Sequence, residues 1–113
     1  MLTNTKKNLQ DILIAIAEIE SFFEGRKKTY DDFCSDILLR RGVERNIEII
    51  GEATNRILKE NSEIRITNAR KIVDARNYIS HGYDSVSEDI IWSIVINHLP
   101  KLKAEVESLL FQE

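Results

Sequence analysis

The sequence predicts an all-α protein, an antiparallel up-and-down bundle of four or five helices. Three observations predict it. Apolar residues recur at three- and four-residue spacing along most of the chain. One proline and four glycines are too few for the many turns of a β fold. The helical stretches are long and their connections short, which makes neighbours antiparallel. With 113 residues the chain is expected to form a single domain over 1–113. A chain of that size buries roughly two-thirds of its unfolded surface and needs no disulfide or metal staple.

The first helix carries Leu9, Ile12, Leu13, Ile16, Ile19 and Phe23 on one stripe, with Lys6, Lys7, Gln10, Asp11 and Glu18 on the rest of its surface. Gly25 is its stop, and Arg26, Lys27 and Lys28 suit the negative end of the helix dipole. The second element opens at Thr29, with Asp32 three residues on as a weak capping box. It breaks at Ser35 and restarts at Asp36 to run to Glu60, with Ile37, Val43, Ile47, Ile50, Ile57 and Leu58 on its core side. Gly42 and Gly51 inside it each cost about 1 kcal/mol relative to alanine, so close helix packing is the expected reason for them. A loop over 61–66 leads to a third helix capped by Thr67 or Asn68 and ending near His81–Gly82. The last helix follows Asp84 or Ser85, where Ser85 and Glu88 can form another capping box, and reaches Phe111.

Composition narrows the class further. An apolar fraction of 42% with 31% charged residues fits a soluble globule and excludes a disordered chain. No apolar run reaches the roughly 18 residues of a membrane span, and the opening MLTNTKKNLQ lacks a signal-peptide core. The single cysteine, Cys34, excludes an internal disulfide and suits a reducing compartment, so a cytoplasmic protein is expected, with Cys34 a small core residue. With only His81, His98 and Cys34 as soft ligands, neither a structural zinc site nor a cofactor is expected. The net charge is −3 but unevenly spread: residues 40–76 hold 9 basic and 6 acidic side chains. A polyanion would meet that segment first, although solvated helix faces explain the same counts.

Two places break the amphipathic rule. The run Ile90-Ile91-Trp92-Ser93-Ile94-Val95-Ile96 is apolar nearly all round a helix, and Leu99, Leu102, Val106 and Leu109 continue a helical stripe beyond it. Such a helix must be covered from two sides, and a second copy of the chain is the simplest cover, so a homodimer is expected. Pro100 lies inside this helix and should kink it or restart it.

The second exception is Arg76. Ala69, Ile72, Val73 and Ile79 form the apolar stripe of the third helix, and Arg76 falls in its middle. A charge there has a partner or a task. Asn77 and His81 stand i to i+4 on the adjoining face. Arg76 and His81 lie about 140° apart, yet the long guanidinium can swing toward a site the imidazole reaches. Gly82 ends the helix and lets Tyr83 turn back near the same place. The set suits a phosphodiester. Arginine forks onto phosphate oxygens, and histidine can take a proton from a ribose 2′-hydroxyl or give one to the leaving oxygen. Asn77 would orient the imidazole or bind substrate. No carboxylate pair accompanies His81, so cleavage is expected without metal. One histidine per chain leaves base or acid missing, and a two-fold dimer supplies the second.

Arg76-Asn77-Tyr78-Ile79-Ser80-His81-Gly82-Tyr83 resembles the R-x4-H-x-Y signature of the HEPN ribonucleases, in particular the HepT-like toxins of toxin–antitoxin pairs. Arg45 followed by Ile50-Gly51-Glu52-Ala53 is similar to a second run of that family, and Trp92 with Leu99-Pro100 also fits it. The likeness spans roughly Leu9 to Leu110; the loop over 63–67 is less typical. The resemblance implies a dimeric helical bundle that cuts RNA without metal, with Arg76 and His81 catalytic and Asn77 their polar companion. It also implies a small nucleotidyltransferase antitoxin as partner, which silences the toxin by transferring AMP to Tyr83. The added phosphate would occupy the arginine and histidine meant for RNA.

Each of these residues also has a plainer reading. Arg76 pairs with a carboxylate such as Glu48 or Glu52, and His81 favours a helix C-terminus. Tyr83 is then a core or interface aromatic, His98 structural, and Tyr78 packing or surface. Arg45, Glu48 and Glu52 form an ion-pair network inside the bundle. Two alternatives to the nuclease follow. One is a non-catalytic module that docks a nucleotidyltransferase or a nucleotide, and the other a purely structural helical dimer.

Overall fold

The stripe from Leu9 to Ile19 becomes the buried face of helix α1 (Thr3–Phe22), as its spacing predicts. The computed structural model describes residues 3–80 and 88–112. Gly25 turns the chain at φ +74°, a conformation that glycine adopts without penalty. Thr29 then caps α2 (Tyr30–Ser35) by accepting the Asp32 N–H at 3.2 Å. Asp36 closes α2 and opens α3 (Ile37–Glu60), its Oδ1 accepting the Leu39 N–H at 3.1 Å. That backbone bond, with Arg26 at 2.9 Å, holds the Asp36 carboxyl below its ordinary value. The break at Ser35 and restart at Asp36 follow the sequence.

Antiparallel packing of α1 on α3 forms half the core. Asn46 ties the pair by donating to Glu18 Oε1 at 3.3 Å, and Thr5 donates its hydroxyl to Glu60 Oε2 at 2.5 Å. Gly42 lets the ring of Phe22 lie against the backbone, where a methyl group would stand 2.9 Å from it. Val43, Ile47, Ile50 and Ile57 are buried as predicted, but Ile37 is 56% exposed. The α1–α3 register sets this: Phe22 ends α1 level with Gly42, so the first turn of α3 runs past its neighbour.

The apolar run from Ile90 is helical, not extended. Helix α5 (Glu88–Ser93) passes through a π-helical turn (Ile94–His98) into α6 (Leu99–Phe111), with the Leu99 N–H bonded to Ile94 O. The distortion expected at Pro100 is this π turn just ahead of it, and Pro100 stands in the first turn of α6 where the regular helix restarts. Pro100 offers no N–H to the carbonyl four residues back, and its ring would press on that carbonyl; widening the helix just ahead relieves both. Ile91, Ile94 and Val95 are buried, and Trp92 packs on Phe33 and Phe23 at ring distances of 5.3 and 5.9 Å. Ile90 and Ile96, on either side of that buried stripe, stay 49% and 39% exposed. Arg40 fastens this end by donating to Cys34 O at 2.8 Å and meeting Glu88 at 3.4 Å. Cys34 packs half-buried against the core, and its hydrogen bond with Tyr30 is the main reason the phenol is pushed up to about 12. No described helix is long and apolar enough to cross a membrane.

Candidate functional site

Helix α4 (Ala69–Ser80) presses Ala69, Ile72, Val73 and Ala75 into the core against α3. Its start differs from the predicted cap. Asn68 adopts a left-handed φ of 61° instead of the extended conformation of a capping residue, and its amide meets His98 Nδ1 at 3.3 Å. Thr67 gives its hydroxyl to Glu105 at 2.6 Å and its N–H to the same carboxylate. A tie to α6, 38 residues away, has outcompeted the local cap.

Arg76 sits where the helical stripe places it, half-buried, with its stem over Gly51. A methyl group on Gly51 would stand 2.3 Å from Arg76 Cβ and 2.9 Å from Ile72 O, so the predicted reason for this glycine, close packing, is the observed one. The guanidinium is steered but not consumed. Nη1 donates to Asn77 Oδ1 at 2.8 Å, a neutral acceptor. Nη2 is 4.0 Å from Glu52 Oε1, which also takes Arg56 Nη2 at 3.4 Å. Of the two carboxylates suggested as partners for Arg76, only Glu52 approaches it: Glu48 instead accepts the Ser80 hydroxyl at 3.0 Å. The expected network of Arg45, Glu48 and Glu52 does not form, because Arg45 projects from the outer face of α3 and is exposed.

The structure therefore brings Arg76 and Asn77 together and adds Glu52 and Arg56. His81, Gly82 and Tyr83 lie outside the described residues, as does Ser85 of the expected capping box. Arg56 does not stand out in the sequence; its i to i+4 relation to Glu52 is legible there, its approach to Arg76 is not.

His98 lies on the opposite side of α4. A cavity of about 360 Å³ between α4 and the last helix is lined by Lys71, Asp74, Tyr78, Asp89, Ser93 and His98, over Ala75, Ile90 and Ile94. Partial burial, with Lys71 and Lys101 nearby, holds the His98 imidazole below its ordinary value. Its bond with Asn68 fits the structural role expected of it, and Tyr78 is exposed as expected. Among the described residues no three histidine, cysteine or carboxylate side chains converge as a metal cage would require.

Residues 12–109 match the family described as "Ribonuclease HepT-like". "Putative RNase MJ1380" of Methanocaldococcus jannaschii is 32% identical over 106 residues, which cover 92% of this chain and 94% of that protein. "Probable ribonuclease HepT" of Thermococcus cleftensis is 32% identical over 110 residues, covering 96% and 98%. "Putative RNase TTE0752" of Caldanaerobacter subterraneus subsp. tengcongensis is 33% identical over 86 residues, covering 75% and 77%. No solved structure matches the chain.

Proposed function

The chain belongs to the ribonuclease HepT-like family, and from that premise we propose that it is a metal-independent endoribonuclease toxin, with Arg76 and His81 as its catalytic residues. The observation that carries this reading is the state of Arg76. It is an arginine built into a helix contact, aimed by a neutral amide, and among the described residues its nearest carboxylate is Glu52 at 4.0 Å, which Arg56 also approaches. Such a group keeps donors for a phosphodiester and stabilises the charge that develops on its oxygens.

His81 takes the proton from the ribose 2′-hydroxyl, whose oxygen attacks phosphorus. The 5′-oxygen leaves with a proton from the second copy's histidine, giving a 2′,3′-cyclic phosphate and a 5′-hydroxyl. Two copies of the chain therefore share the cleft. Ile90 and Ile96 of the last helix, both left exposed after the core is complete, are apolar surface that supports a dimer. A nucleotidyltransferase antitoxin silences the toxin in the cytoplasm by placing AMP on Tyr83, two residues past His81.

The test is cleavage of total RNA in excess EDTA by protein whose intact mass shows a bare Tyr83, alongside Arg76→Ala and His81→Ala. Cutting by the parent and none by either folded variant is expected. A folded, unmodified dimer that leaves RNA intact overturns the nuclease in favour of a binding module. Cleavage that survives both substitutions overturns the site.

A further inference from the structure

Where the first turns of α1 meet the last turns of α3, a cavity of about 370 Å³ is lined by Asn4, Lys7, Asn8, Arg56, Lys59 and Glu60. Three cations face one carboxylate there, and that carboxylate is already engaged by the Thr5 hydroxyl. Lys7 is shared with Asp11 at 3.0 Å along its own helix, and Lys59 carries no ion pair among the described residues. Helix α1 brings the positive end of its dipole with no acidic residue in its first turn. The C-terminus of α3 brings the opposite sign, and Lys59 in its last turn offsets it. Asn8, more than nine-tenths buried, is held to Asn4 O at 2.9 Å and gives the wall a fixed polar surface.

Glu52 connects this cavity to Arg76. Its Oε1 receives Arg56 at 3.4 Å and faces Arg76 at 4.0 Å, so the two guanidiniums approach the same oxygen. A strand with a phosphate on Arg76 meets Arg56 next, and Lys59 and Lys7 beyond it. We propose that this cavity is a phosphate subsite for single-stranded RNA, in which Lys7 and Lys59 are positioning residues that hold a flanking phosphodiester while Arg56 bridges to Arg76. It rests on the ribonuclease reading and adds the direction in which the strand leaves the cut. The cations are exposed, so each contributes little alone, but every phosphate they neutralise releases counterions and is counted by salt.

Lys7→Gln/Lys59→Gln touches neither Glu52 nor Arg76 and isolates the subsite. On a single-stranded oligoribonucleotide, KM should rise roughly three- to tenfold with kcat unchanged. For a version bearing His81→Ala to prevent cutting, the slope of log affinity against log salt should flatten by about 0.7 for each phosphate the variant leaves unneutralised. Lys7→Arg/Lys59→Arg, which keeps both charges, should match the parent. Unchanged KM and salt slope in protein that cuts RNA overturn the subsite and leave the ribonuclease standing. So does a double variant that handles RNA normally but no longer binds a protein partner. A bare parent that does not cut overturns the ribonuclease reading, and the subsite with it.

Discussion

Gly51 on α3 and Arg76 on α4 touch backbone to stem: a methyl group on the glycine would stand 2.3 Å from Arg76 Cβ. One contact thereby serves two ends. It sets how closely α4 lies on α3, and it fixes the root of the side chain proposed to reach a phosphate. Glu52, the next residue, then stands beside the guanidinium, and Arg56 one turn further on approaches the same oxygen.

Gly51→Ala should therefore damage stability and activity together. Overpacking costs about 1–3 kcal/mol, and the gain in helix propensity returns about 1 of it, so the melting temperature should fall by several degrees. RNA cleavage should fall further than the loss of folded protein explains. Gly42→Ala is the control. Its methyl group meets only the outer edge of the half-buried Phe22 ring, which can rotate aside. That variant should melt at or above the parent temperature with activity intact. Equal losses in the two variants would deny Gly51 its special place.

The depressed value of His98 predicts a pH dependence. In the unfolded chain the imidazole takes its proton near 6.5; in the folded protein partial burial and the neighbouring Lys71 and Lys101 delay it to lower pH. The unfolded state then binds more protons between those two values, so stability present at pH 7.5 is lost as pH falls below about 6.5. His98→Gln should shrink the difference in urea midpoint between pH 7.5 and pH 5.5. His81 is common to parent and variant and cancels in the comparison. An unchanged difference would mean that His98 titrates normally.

Glu105 accepts both the N–H and the hydroxyl of Thr67, which ties the loop before α4 to α6. Both groups are exposed, so Glu105→Ala should cost only about 1 kcal/mol of global stability. Amide exchange at Thr67 should quicken by more than that of the α3 core. Uniform acceleration across the chain would show that the tie does not act locally.

How much of this is legible in the sequence depends on range. The α1 stripe, the Thr29 cap, the break at Ser35 and the tight packing at both helical glycines are written in residues a few positions apart, and all are observed. Ile37 has the spacing of a core residue but lies past the end of α1, which the Phe22–Gly42 register decides. Asn68 and Thr67 have the chemistry of caps, yet His98 and Glu105 claim them instead. Pro100 announces a distortion without saying that the chain absorbs it as a π turn. Arg76 is legible because it breaks a stripe. Arg56 is not, because its relation to Arg76 exists only once α3 and α4 are in register.

Asn77 makes the sharpest test of how that arginine is held. Its Oδ1 accepts from Arg76 Nη1 at 2.8 Å and gives direction to a guanidinium whose nearest carboxylate, at 4.0 Å, is also approached by Arg56. A hydrogen bond to a charged donor is worth about 1.5–3 kcal/mol when buried, and roughly half that is expected at this partly exposed position. Asn77→Ala should accordingly lower kcat/KM about five- to tenfold, with a melting temperature near that of the parent. A structural role for Asn77 would show the reverse pattern, a lower melting temperature with kcat/KM kept. Asn77→Gln restores the amide but adds a methylene between it and the backbone, so the acceptor moves away from Nη1. If direction matters, Asn77→Gln should fall with Asn77→Ala; if any nearby amide suffices, it should recover the parent rate, and Arg76 would then need only its charge.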